Sequence, residues 1–259
     1  RFKLFPKKDI SQETEELLQI DKSNIEWRSA KDIFGKNVAI FGETTSSKDI
    51  KLGPSDNSYF VSTISSLSEF PNLIVRLFRT AILPKDGEPI EICIKIEGKW
   101  TIVYLDDKFM VNKDNNLPIF STSPTKNIWG MLLEKAWAKV CGGYENIIRG
   151  KCSEVFEAFT PFRIMEINIK KMQNNQLWEY INSSLNHNCM ITCTTKENFT
   201  EYESIGLFSG YSFSLFENKN KDTEKDKKDS INITRKLKIR NPIGDNNHFE
   251  NKINEQIME

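Results

Sequence analysis

Residues 48–67, KDIKLGPSDNSYFVSTISSL, run a tight polar loop with Gly53, Pro54, Asp56 and Asn57 directly into an apolar helical stretch whose first residue is Ser58. Hydrolases seat nucleophiles at such junctions, because unpaired N–H groups and the positive end of the helix dipole favour a developing anion. A serine hydroxyl is unreactive near neutral pH until a base takes its proton, so Ser58 would need an imidazole or its equivalent. The chain has two histidines, His187 and His248. His187, in LNHNC, falls at a helix-to-strand turn, and both are expected to be ordinary surface imidazoles. From these residues alone Ser58 is a nucleophile, the remnant of one, or a helix cap.

The remaining reactive types exclude other chemistries. The five cysteines (Cys93, Cys141, Cys152, Cys189 and Cys193) are odd in number and widely spread, with no C-x-x-C pair. That usage suits reduced thiols and a cytoplasmic location. With so few histidines, none at ligand spacing, no zinc site is expected. Lys plus Arg and Asp plus Glu both total 36, so no net field favours nucleic acid or anionic lipid. No apolar stretch is long enough for a membrane span or a signal sequence, and the chain, opening on RFKLFPKKD, reads as an excerpt of a longer protein.

The elements that would position Ser58 follow from periodicity. Tyr59, Phe60, Ile64 and Leu67 share a helical face, Pro71 stops that helix, and a second helix follows. Ile90, Ile92, Ile94 and Ile96 alternate ahead of a turn at Glu97-Gly98-Lys99 and the run WTIVYLDD, which predicts a β-hairpin. Trp129, Leu132, Leu133, Ala136, Trp137 and Val140 form one stripe of a helix that Gly142-Gly143 ends. NNQLWEYINSSLNHN predicts a further helix, and CMITCTT, GYSFSLFE and ITRKLKIRNP predict strands. Residues 217–230, ENKNKDTEKDKKDS, cannot bury apolar area and are expected to be a solvated loop. Helices precede strands, which indicates an α+β class.

Several separated motifs, in order along nearly all of the chain, resemble the papain-like protease core of the calpain family. FKLFPKKD resembles the opening Phe-x-Asp-x-x-Phe-Pro segment, and IEWRSAKDIF the Trp-Lys-Arg-Pro-x-Glu-Ile box at Trp27 and Arg28. DIKLGPSDNSYFVSTISSL is similar, without a gap, to the nucleophile motif Asp-Ile-x-Gln-Gly-x-Leu-Gly-Asp-Cys-Trp-Leu-Leu-Ala-Ala-Ile-Ala-Ser-Leu. TIVYLDDKF resembles a Val-Val-Asp-Asp-x-Leu strand, WGMLLEKAWAKVCGGYE the Leu-Leu-Glu-Lys-Ala-Tyr-Ala-Lys helix, and IRNPIG the Ile-Arg-Asn-Pro-Trp-Gly turn.

Such a core needs a thiolate, an imidazole to activate it, an asparagine to orient the imidazole and an amide in the oxyanion hole. The resemblance puts Ser58 at the cysteine position and Ser209, in FSGYSFSL, at the histidine position. Leu52 takes the oxyanion glutamine position, and only the asparagine is kept, as Asn241; the tryptophan that shields it is Ile243. Where the family has Thr-Gly-Gly along the substrate groove, Thr160 is followed by Pro161 and Phe162, which remove a donor and add bulk. For calcium, Asp49 keeps one acidic position, Asn127 replaces a glutamate, and Asp245 and Glu250 offer altered spacing for a second site.

The resemblance therefore implies an α+β papain-like cysteine proteinase fold of calpain type. It would have a lead-in at 1–27, a helical N-terminal subdomain at 28–160 carrying Ser58, and an antiparallel β-rich C-terminal subdomain at 161–259, C-terminally incomplete. The expected function is that of a catalytically inactive calpain-like domain, serving as a binding or regulatory module with protein partners or neighbouring domains of the same chain. The alternatives are an active intracellular endopeptidase using unaligned residues, and a less polar cleft lined by Leu52, Tyr59, Phe162, Ser209 and Ile243 for a small molecule or partner. No cofactor is expected, and calcium is weakly supported at Asp49.

Overall fold

The computed structural model describes residues 21–85, 87–198, 203, 207–216 and 237–244. The opening FKLFPKKD motif, the charged run 217–230, His248 and the pair Asp245 and Glu250 lie outside the described residues.

The helix predicted to start at Ser58 is Ser58–Leu67, and every one of its ten residues is buried. Preceding it is a short helix, Ala30–Phe34, which makes the two helices α1 and α2. Helix α2 closes at Leu67 with Ser68 as its C-cap, ahead of Pro71, and Pro71 begins α3, Pro71–Leu77, where its missing N–H costs nothing because first-turn donors lack helical acceptors. The apolar stripe around Trp129 forms α4, Trp129–Cys141, closed by Gly142 in the left-handed conformation. Two further helices are α5, Cys152–Phe159, and α6, Asn174–Asn186.

The predicted hairpin is present. Strands Ile90–Ile96 and Lys99–Leu105 pair antiparallel through a turn in which both Glu97 (φ 49°) and Gly98 (φ 78°) are left-handed, the twist that suits adjacent strands. The sequence reading did not include the pairing of Ile25–Ser29 with Lys108–Asn112, which forms a second two-stranded sheet. In chain order these are β1 (Ile25–Ser29), β2 (Ile90–Ile96), β3 (Lys99–Leu105) and β4 (Lys108–Asn112). The first half thus adds a second strand pair to the predicted hairpin, and its core is built on helices.

The strands predicted in the second half form one antiparallel sheet in the order β5 (Ile191–Thr194), β6 (Ser212–Phe216), β7 (Lys238–Arg240). Helix α2 sits at the centre, packed by β5 and β6 on one side and by α3 and α5 on others, while α4 backs the β2–β3 hairpin. The main apolar core joins Phe60, Ile64 and Leu67 of α2 to Trp129, Leu132 and Leu133 of α4, Ile90 and Ile92 of β2, and Phe159 of α5. The class is α+β, as expected. Among the described residues no helix is long and apolar enough to cross a membrane.

Candidate functional site

The loop ahead of α2 is held by close backbone approach. A Cβ at Gly53 would lie 1.7 Å from the Phe120 carbonyl oxygen, so no other residue type fits there without moving the chain. Asn57, at the N-cap, does not cap α2 with its side chain. Its Nδ2 donates instead to Glu134 Oε1 at 2.6 Å, while its Oδ1 accepts from the Ser55 hydroxyl at 3.1 Å. Glu134 is buried in α4 and also accepts from the Ser121 hydroxyl (2.7 Å) and the Ser121 N–H (3.1 Å). Burial pushes its carboxyl up to about 7 against the pull of these donors. Its neighbour Lys135 is also buried and pairs with Asp106. The apolar stripe of this helix gave no sign that an acid and a base at adjacent positions would both be enclosed.

Ser58 is 3% exposed, and its Oγ accepts the main-chain N–H of Ser212 at 3.2 Å. The same hydroxyl borders a cavity of about 420 Å³ lined also by Asp56, Tyr59, Arg149, Thr194, Glu197 and Ser209. Ser209 thus shares a cavity with Ser58, but its Oγ donates to the Lys196 carbonyl at 3.3 Å. No histidine, lysine or cysteine lines this cavity among the described residues. His187 is elsewhere: it ends α6, is exposed, and its Nδ1 lies 2.7 Å from the Ser183 carbonyl oxygen. Tyr59 is unavailable as a proton donor at neutral pH, since its phenol donates to the Ile147 carbonyl, accepts from Trp137 Nε1, and is pushed well above its ordinary value by burial.

Leu52 and Asn241 do not line the cavity. Leu52 is 6% exposed within the core, and its N–H donates to the Pro242 carbonyl at 2.8 Å. Asn241 Oδ1 accepts the Ile243 N–H at 3.0 Å and fixes the NPIG turn, whose Ile243 packs on the same core. The less polar cleft expected from Leu52, Tyr59, Phe162, Ser209 and Ile243 is therefore corrected. Leu52 and Ile243 are taken up by apolar packing, Phe162 stands 50% exposed at the surface, and what lines the cavity is hydroxyls and charges.

Asp49 is buried rather than at the surface, and it caps its own 3-10 turn by accepting the Ser46 N–H at 2.9 Å. Its Oδ1 also accepts from the Thr125 hydroxyl (2.5 Å) and Asn127 Nδ2 (3.1 Å), and its Oδ2 from Trp129 Nε1 (2.8 Å). A calcium ion needs several oxygen ligands turned toward one point. Here the carboxylate faces donors, and Asn127 turns its amino group to it. Thr45, in the same loop, adds one buried hydroxyl with no partner among the described residues. No three His, Cys, Asp or Glu side chains gather as a metal site among the described residues. The residues present do not fit calcium at Asp49.

A sequence profile described as calpain family cysteine protease matches residues 3–257. The chain belongs to the calpain family. It is 27% identical over 202 residues to human calpain-14, covering 77% of this chain and 29% of that protein. It is 26% identical over 231 residues to the mouse calpain-2 catalytic subunit (85% and 31%), and 27% identical over 222 residues to calpain-A of Drosophila melanogaster (82% and 26%). The chain spans less than a third of the length of these curated relatives. The helices and antiparallel sheets described above are those of a calpain protease core of α+β class.

Proposed function

We propose that this calpain-family domain carries no peptidase chemistry and serves as a folded binding or regulatory module of a larger intracellular protein. One observation carries the reading: the Ser58 hydroxyl accepts a main-chain N–H from Ser212, and the cavity it borders offers no imidazole, amine or thiol among the described residues. The two carboxylates that line it, Asp56 and Glu197, make no hydrogen bond to Ser58 Oγ, and Asp56 pairs with Arg149. A hydroxyl with no base in hydrogen-bond contact is not a nucleophile at neutral pH, and removing one member of such a constellation already lowers rates by orders of magnitude. Leu52 supplies no side-chain amide to an oxyanion. Asp49, with its carboxylate already bonded to Ser46, Thr125, Asn127 and Trp129, supports a role without calcium. The partners that suit this role are proteins or neighbouring domains of the same chain, in the cytoplasm, where the five free cysteines stay reduced.

The test is incubation of the purified protein with unstructured peptides, with and without calcium, alongside a fluorophosphonate and a thiol-directed probe. The expected result is no cleavage and no labelling at Ser58. Covalent labelling at Ser58 that Ser58→Ala abolishes would overturn the proposal.

A further inference from the structure

Helix α2 meets the sheet through polar groups at successive turns. Ser58 Oγ accepts the Ser212 N–H at 3.2 Å. One turn on, the Ser62 carbonyl accepts from Ser214 Oγ at 2.7 Å, and one turn further Ser65 Oγ accepts from the Arg240 guanidinium. Positions 58, 62 and 65 lie on one helical face, and 212 and 214 on one face of β6. The other end of the Arg240 guanidinium donates to the Ile50 carbonyl at 2.6 Å, and Leu52 N–H reaches the Pro242 carbonyl, so the strand-like segment leading into α2 is tied to β7 as well. Ser58, Ser62, Ser65, Ser212 and Ser214 are all buried.

This row differs from an apolar contact in what it specifies. The hydrophobic effect has no direction and leaves register to the shapes of the packed side chains, whereas hydrogen bonds between buried groups name their partners and are costly to leave unmade. The motif to which residues 58–65 are similar has cysteine and alanines at 58, 62 and 65, and Ser65 brings the side-chain acceptor that the Arg240 guanidinium uses. The two walls of the cavity, α2 with Ser58 and the β5–β6 edge with Thr194 and Ser212, are the two sides of this row.

We propose that the row Ser58–Ser212, Ser62–Ser214 and Ser65–Arg240 is a register lock that fixes the helix and the sheet as one rigid unit, so that the cavity at Ser58 is preformed rather than assembled when a partner binds. The Ser58 hydroxyl is then a structural acceptor in the joint. This holds whether or not the site is catalytic, and the measurement that follows does not depend on peptidase activity.

Native-state amide hydrogen exchange on the intact protein tests it. The Ser212 and Leu215 amides should exchange as slowly as those of Leu132 and Leu133 in α4, and in a single opening event. The double variant Ser65→Ala/Ser214→Ala, which removes only hydroxyls, breaks both side-chain bonds across the joint and one within α2, from Ser65 to the Val61 carbonyl, and should speed exchange at Ser212 and Leu215 by about tenfold or more, while α4 stays within twofold of wild type. Arg240→Met should produce the same selective loss, or a larger one. Exchange at Ser212 as fast as at an exposed loop in the unaltered protein, or an unchanged rate in the folded double variant, would overturn the proposal.

Discussion

Asn57 Nδ2 lies 2.6 Å from Glu134 Oε1, and through this bond a buried carboxylate of α4 holds the residue immediately before Ser58. The bond joins residues 77 positions apart, and it takes the N-cap side chain away from the first N–H groups of α2. The start of α2 is thus placed by tertiary contact rather than by its own cap.

Because Glu134 is buried, its carboxyl titrates at about 7 in the folded protein against 4.5 ordinarily. A folded-state value above the unfolded one means that the native state binds the extra proton, so the stabilisation is complete below pH 4.5 and is lost as pH rises through 7. Denaturant unfolding between these values should show stability falling with pH by up to about 3 kcal/mol. Glu134→Gln should flatten that slope while keeping a side chain able to serve Asn57 and Ser121; an unchanged slope in the variant would assign the dependence elsewhere.

If the domain carries no peptidase chemistry, as proposed, returning one or two positions to the family's residues should not create it. Ser58→Cys, and Ser58→Cys combined with Ser209→His, are expected to give no peptide hydrolysis, since Leu52 still offers no amide and the Ser209 hydroxyl points to Lys196 rather than into a shared bond with Ser58. Turnover of a fluorogenic peptide by either variant is the measurement that would count against this.

Asp49 behaves as a structural hub. Asp49→Ala leaves the Thr125 hydroxyl, the Asn127 amide and the buried Trp129 indole without their acceptor, and should cost on the order of 3–5 kcal/mol. Thermal unfolding of the unaltered protein should give the same midpoint in calcium as in chelator. A clear upward shift in calcium would show binding of the ion by the folded state.

Gly53→Ala places a Cβ 1.7 Å from the Phe120 carbonyl oxygen, a backbone atom that cannot swing aside. Loss of soluble folded protein, or destabilisation beyond about 4 kcal/mol, is expected from such an overlap. Gly150→Ala should be milder, because the neighbour at 2.6 Å is the ring of Tyr59, a side chain. Circular dichroism melts of the two variants should rank in that order.

Much of this arrangement was legible in the residues, and the exceptions share a cause. Helix α2 and its start at Ser58, the hairpin turn at Glu97-Gly98 and the stripe of α4 are written in spacings of a few residues, where period and turn chemistry act directly. The β1–β4 pairing was missed because each strand is five residues long and its partner lies far along the chain. The enclosure of Glu134 and Lys135 was missed for a related reason: an apolar stripe reports where a helix meets its core, and not that Asn57, Ser121 or Asp106 will arrive from elsewhere to accept or donate. The lining of the cavity was misjudged because Leu52 and Ile243, which stand at positions of the family's motifs, turn into the core.

The hydroxyls of α2 mostly return to their own helix. Ser62 and Thr63 donate to the Tyr59 carbonyl and Ser65 to the Val61 carbonyl. The helix thus carries its hydroxyls through an apolar core chiefly by closing them on its own carbonyls, and keeps Ser58 and the acceptor side of Ser65 for the sheet. Polar residues that close on the turn that carries them ask nothing of their neighbours, so the positions facing the sheet, Ser58 and Ser65, are the ones where a change of side chain is felt across the joint.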